Sequence, residues 1–172
     1  MKIVAFGASS SSTSINQKLA VYAANQIEGA TVIALDLNDF EMPIYSIDKE
    51  RTNGVPELAK QFRQQLASAD GIIISFAEHN GSYATAFKNV YDWNSRQDGK
   101  IWMDKPIFLL ATSPGGRGGQ TVLAQAAGSF PHQGGDVVGK FSLPSFNQHF
   151  SDEQGITSPD LKNEFISQLS AF

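Results

Sequence analysis

Cysteine is absent from this 172-residue chain, which removes disulfide frameworks, thiolate nucleophiles, zinc–thiolate centres and iron–sulfur clusters together. Charge is sparse as well. Asp, Glu, Lys and Arg make up 17% of the residues, the formal net charge is −4 and the sequence pI is about 5.3. Lys and Arg nowhere form a run, so nucleic acid and anionic membrane are poor partners. No apolar stretch approaches the roughly 20 residues that cross a bilayer. The first residues, Met1 to Gly7, run into a serine-rich loop too soon for a signal-peptide core, and the expected location is therefore the cytoplasm. The three histidines, His79, His132 and His149, lie far apart without ligand spacing, so no metal site is expected.

What is present is a globular composition, with 41% hydrophobic residues, 15 Gly and 7 Pro. The length suits one domain over residues 1–172. Short apolar runs rich in β-branched residues recur at Ile3 to Phe6, Thr31 to Leu35, Ile72 to Phe76, Ile107 to Ala111 and, more weakly, Val137 to Phe141. Continuous rather than alternating apolarity predicts strands buried on both faces, hence a parallel sheet.

Helical stripes fall between the runs. Ile15, Leu19, Tyr22 and Ile27 form one, and Leu58, Phe62, Leu66 and Ala69 another, opened by Pro56 at the first helical position. Tyr83, Phe87, Val90, Tyr91 and Asn94 make a third, followed by Val122, Ala126 and Phe130, then Leu161, Phe165, Leu169 and Phe172. Strict β-α alternation in so short a chain predicts a flavodoxin-like α/β fold. Its doubly wound five-stranded parallel sheet, in the order 2-1-3-4-5, is the middle of a three-layer α/β/α sandwich. The connection from Pro43 to Pro56 is too long to be a bare turn.

Ligands of such sheets sit beyond the carboxyl ends of the strands, where the strand order reverses. Three loops there are unusual. The first, Gly7 to Gln17, crowds hydroxyls of Ser9 to Ser14 against a helix start, where free N–H groups and the positive dipole end attract phosphate. Ser14 to Gln17 also fits a capping box. Neither G-x-G-x-x-G nor a P-loop pattern is present. The second loop, Ala77 to Tyr83, contains Asn80-Gly81, a tight-turn pair with exposed amides. The third, Ser113 to Gly119, has four glycines, backbone bare enough for a flat ligand to approach closely.

Taken in order, G-x-S-x-x-x-x-S-x-N from Gly7, E-H-N-G-S-Y from Glu78 with A-F-K-N-x-Y-D-W from Ala86, and S-P-G-G-R-G-G from Ser113 resemble the NADPH-dependent FMN reductase family of quinone, chromate and azo-dye reductases. The likeness continues through Leu143-Pro144 and Phe150 to Gly155. It implies non-covalent FMN, with NADPH or NADH as reductant and a small-molecule electron acceptor, in a homodimer or homotetramer. Ser9, Ser11, Ser14, Ile15 and Asn16 correspond to the phosphate loop, Ser11 standing where many members carry Arg. Ala77, Glu78, His79, Asn80 and Gly81 match a P-E-Y-N-G segment beside the isoalloxazine, with Ala77 and His79 replacing Pro and Tyr. Ser113, Pro114, Gly115 and Gly116 match the loop on its other edge.

His79 reads equally as a flavin-side imidazole or a solvent-facing one, and Arg117 as a contact for the NADPH 2′-phosphate or a surface residue opening a helix. Tyr91, Trp93 and Trp102 read as packing, ring stacking or an oligomer face. No acid/base constellation is expected, because hydride transfer is the flavin's chemistry. The resemblance implies ping-pong reduction of a quinone-like or azo acceptor. An electron carrier or a flavin-binding module without turnover is the alternative, disfavoured by loops of Gly, Ser and Asn that leave a ring accessible.

Overall fold

The structure, a computed structural model, describes residues 1–172. Its first half contains β1 (Lys2–Ala8), α1 (Ile15–Asn25), β2 (Thr31–Ala34), α2 (Ile47–Asn53), α3 (Glu57–Ala67) and β3 (Gly71–Phe76). A hairpin of β4 (Glu78–His79) and β5 (Ser82–Tyr83) leads into α4 (Thr85–Asn94). Then follow β6 (Lys105–Thr112), α5 (Gln120–Ser129), β7 (Gly135–Leu143), α6 (Phe146–His149), the pair β8 (Phe150–Ser151) and β9 (Gly155–Ile156), and α7 (Pro159–Leu169). The central sheet is five-stranded in the order β2-β1-β3-β6-β7, every pairing parallel. That is the flavodoxin-like order, with the reversal between β1 and β3.

Alternation along the inner strands separates two cores. Val4, Phe6, Ile72, Ile74, Ile107 and Leu109 point to one face, where α3, α4 and α5 supply Phe62, Phe87 and Val122. Ile3, Ala5, Ile73, Phe108 and Leu110 point to the other, covered by Leu19 and Ala23 of α1 and Phe165 of α7. β1 from Ile3 onward, β3, and β6 from Ile107 onward are buried throughout, as double-sided packing requires. The edge strands depart from that expectation. β2 is exposed or half-buried along its length and much of β7 is half-buried, because each has a neighbour on one side only.

Several local expectations shift. Tyr83 belongs to β5, not a helix; its ring packs on Phe76 and Phe87, so it keeps the apolar rhythm while the backbone turns. Pro56 is the N-cap of α3 rather than its first residue. The connection from Pro43 to Pro56 contains α2, and its start is pinned by α4: Asn89 Nδ2 donates to the Met42 and Pro43 carbonyls and Trp93 Nε1 to Pro43 O at 2.8 Å. Trp93 and Trp102 are each 1% exposed, and Trp102 stacks on Phe130 at 4.3 Å between centroids. Of the three roles open to these tryptophans, they occupy the packing one.

Candidate functional site

The carboxyl ends of β1, β3 and β6 open onto a cleft of about 260 Å³ that all three unusual loops line. From the first come Ser9, Ser11, Thr13, Ser14, Ile15 and Asn16; from the second Ala77, Glu78 and His79; from the third Ser113 and Pro114, with Thr112 at the end of β6. Asn80, Gly81, Gly115 and Gly116 are not part of this lining. Thr13 and Thr112 were not among the expected site residues. Thr13 sits in the hydroxyl run, whereas Thr112 carries no signal beyond its place at a strand end.

The first loop is shaped by its own hydroxyls. Ser9 Oγ accepts the Ser11 N–H at 3.1 Å, and Ser11 Oγ accepts the Thr13 N–H at 3.3 Å. Ser14 caps α1 by accepting the Gln17 N–H at 3.1 Å. The capping box is only half made, because the Gln17 side chain turns away to accept the Gly7 N–H at 2.6 Å and donate to Leu35 O at 3.0 Å. Ile15 and Asn16, the first two helical residues, keep N–H groups without an intrahelical acceptor. Ser10 faces a separate hollow with Leu37, Phe40 and Met42.

Asn16 is 3% exposed, and both its amide oxygen and its amide nitrogen find partners inside the protein. Oδ1 accepts from Ser75 Oγ at 2.7 Å and from the Thr112 N–H at 3.1 Å, while Nδ2 donates to Thr112 O at 3.2 Å. The side chain bolts α1 to β3 and β6.

The hairpin turns on Asn80 at φ 52 and Gly81 at φ 77, the pair of positive φ values that a tight two-residue turn uses. It is laced to α5. Glu78 Oε2 accepts the Val122 N–H at 2.8 Å, Ser82 Oγ donates to Gln125 Oε1 at 3.0 Å, and the Tyr83 hydroxyl lies 3.4 Å from Ser129 Oγ. Burial raises the Tyr83 pKa, opposed by that contact. His79 is exposed and lines the cleft.

The four glycines of the third loop divide. Gly118 and Gly119 are buried at φ 58 and 72, and a Cβ on Gly118 would lie 2.5 Å from Ser142 Oγ. Gly115 and Gly116 are exposed, and a Cβ there would meet nothing closer than Ser113 Oγ at 3.9 Å. The Gly115 carbonyl is saturated by the Ser145 N–H at 2.9 Å, the Gly118 N–H at 3.3 Å and Ser113 Oγ at 3.2 Å, and the Ser113 carbonyl accepts from the Phe146 N–H. Arg117 is exposed, two residues short of the Gly119 N-cap, and donates to Thr121 Oγ1 at 2.9 Å.

Uncharged hydroxyl and N–H donors at the amino end of an 11-residue helix suit a phosphate group. The space over Gly115 and Gly116, which no protein contact explains, suits the approach of a flat ring. FMN carries both features, and the donor set fits it. No three side chains of His, Asp and Glu gather closely enough to hold a metal ion, and no helix is long and apolar enough to cross a membrane.

Residues 1–148 match the family described as NADPH-dependent FMN reductase. A 2-hydroxy-1,4-benzoquinone reductase of Burkholderia sp. is 41% identical over 86 residues, which is 49% of this chain and 45% of that protein. The chain thus spans about half the length of the quinone reductases it matches. An NADPH azoreductase of Bacillus sp. (strain OY1-2) is 25% identical over 100% of this chain and 92% of its own. Among solved structures, a flavoenzyme NAD(P)H:(acceptor) oxidoreductase from Paracoccus denitrificans superposes with a TM-score of 0.78 at 22% identity, covering 99% of this chain and 93% of the other.

Proposed function

This chain belongs to the NADPH-dependent FMN reductase family, and on that premise we propose that it is a cytoplasmic NAD(P)H oxidoreductase. It uses FMN in a ping-pong scheme and works as a homodimer or homotetramer on a small-molecule acceptor. Residues 1–172 act as one FMN-binding domain. Relatives named for a hydroxybenzoquinone and for azo reduction support quinone-like and azo acceptors. When bound, FMN supplies the redox chemistry, taking a hydride from the nicotinamide and passing the electrons to the acceptor.

The chain supplies position and access. Ser9, Ser11 and Ser14, with the N–H groups of Ile15 and Asn16, hold the phosphate. Ala77, Glu78, His79, Asn80 and Gly81 border one edge of the ring, and Ser113, Pro114, Gly115 and Gly116 the other. The observation that carries the reading is that the cleft has no Phe, Tyr or Trp in its lining. A ring seated there is open to a second molecule, as two successive substrates at one face require.

The test is an absorbance spectrum of the purified protein, then anaerobic addition of NADPH and afterwards of benzoquinone. Bleaching of the flavin band by NADPH and its return with quinone is the expected result. Flavin that stays oxidised under NADPH would make the protein a carrier or a sensor, and absence of flavin binding would remove the site.

A further inference from the structure

We propose that Lys18 is the cation that pairs with the FMN phosphate in this chain and is stored on Asp152 until the cofactor binds. The inference rests on the phosphate role given to the first loop and adds a residue that distinguishes FMN from riboflavin.

The main cleft has no Lys or Arg in its lining, yet a phosphate monoester brings close to two negative charges. On the outer side of the same loop lies a smaller hollow of about 140 Å³, sharing Ser9, Ser11, Thr13 and Ser14 with the cleft and closed by Gln17, Lys18 and Asp36. Lys18 is its one cation. The Asp36 carboxylate there is held by the Asn38 N–H and Nδ2, each at 2.9 Å, and adds negative charge that an incoming phosphate must tolerate.

Two features mark Lys18 as waiting for an anion. It is the fourth residue of α1, whose first turn has no acidic residue, so its charge opposes the positive end of the helix dipole. An anion seated at that end reverses the sign of the interaction. Its present partner is also dispensable. Lys18 Nζ lies 2.8 Å from both carboxylate oxygens of Asp152, but the two side chains are 44% and 72% exposed. Exposed pairs contribute little, whereas a hydrogen bond from an ammonium to phosphate is charge-assisted on both sides. Asp152 sits in the turn between β8 and β9, so releasing it disturbs no part of the central sheet.

The experiment titrates FMN and riboflavin into flavin-free wild type, Lys18→Gln, Lys18→Arg and Asp152→Asn by fluorescence quenching at low and moderate salt, with thermal melts to verify folding. Lys18→Gln is expected to weaken FMN about fivefold, leave riboflavin unchanged and flatten the salt dependence. Lys18→Arg should behave like the wild type, and Asp152→Asn should tighten FMN. An unchanged FMN-to-riboflavin ratio in folded Lys18→Gln would overturn the role of Lys18 while leaving the loop assignment standing. Weaker FMN in Asp152→Asn would mean that the ion pair merely braces the β8–β9 turn. Equal affinity of the wild type for FMN and riboflavin would remove the phosphate loop itself, and Lys18 with it.

Discussion

Glu78 accepts the backbone N–H of Val122 at 2.8 Å, so a residue of the hairpin after β3 caps the helix that follows β6. The N-cap of α5 is Gly119, which has no side chain to do this. Val122, Gln125 and Ser129, the three partners of the hairpin, stand at i, i+3 and i+7 on one face of α5. The loops on opposite sides of the cleft are thereby fixed to the same helix.

Glu78→Ala is expected to lower stability by about 1 kcal/mol, the usual loss for a missing cap, and to weaken FMN as the two loops drift apart. Glu78→Gln keeps an acceptor and should fall between Ala and wild type. Urea unfolding of the flavin-free protein and FMN titration together check this; full affinity in Glu78→Ala would free the hairpin from any positioning role.

Asn16→Ala removes the partner of Ser75 Oγ and of both Thr112 backbone groups in a buried setting. The expected loss is on the order of 2 to 4 kcal/mol, since each stranded group is costly. Ser9→Ala, in the same loop but bonded only to the Ser11 N–H, should stay within about 1 kcal/mol of wild type and yet bind FMN less tightly. Denaturation midpoints should therefore fall far more in Asn16→Ala than in Ser9→Ala, and flavin titration of Ser9→Ala should show weaker FMN at nearly native stability.

Gly118→Ala should destabilise the protein by roughly 2 kcal/mol, because an alanine at positive φ is strained and its Cβ meets Ser142. Gly116→Val, with open space before it, should melt like the wild type while slowing flavin reduction by NADPH. Calorimetry and stopped-flow absorbance separate the two; unimpaired reduction in Gly116→Val would place the ring elsewhere.

All four tyrosine hydroxyls are held above their ordinary pKa of 10: Tyr22, Tyr83 and Tyr91 chiefly by burial, Tyr45 chiefly by its hydrogen bond to Glu50. Tyr91 is pushed up to about 12 by burial first and then by Tyr83. Between pH 10 and 12 the folded chain retains that proton while the unfolded chain loses it, so stability falls as pH rises through this window. Melting temperature followed from pH 9 to 12 should decline, and less steeply in Tyr91→Phe.

The sheet was readable because Ile72 to Phe76 and Ile107 to Ala111 have no polar face to hide, apart from Ser75, which bonds Asn16. The loops that meet at the cleft were readable too, since topology alone brings the carboxyl ends of β1, β3 and β6 together. The partners of individual side chains were not. Asn16 finds Thr112 across 96 positions and Glu78 finds Val122 across 44, and no local pattern reports such pairings. Sequence likewise offers four equivalent glycines after Pro114, and only the packing of Ser142 and Leu143 against Gly118 tells a glycine the backbone needs from one with open space before it.

The third loop is fastened to the protein through two of its carbonyls. With the Gly115 carbonyl taken by three donors and that of Ser113 by Phe146, the loop is held to the start of α6 by peptide groups, while the N–H groups of Gly115 and Gly116 have no acceptor inside the protein. Substitution at Gly115 or Gly116 therefore leaves these fastenings in place, because they are made by backbone groups and by the Ser113 hydroxyl.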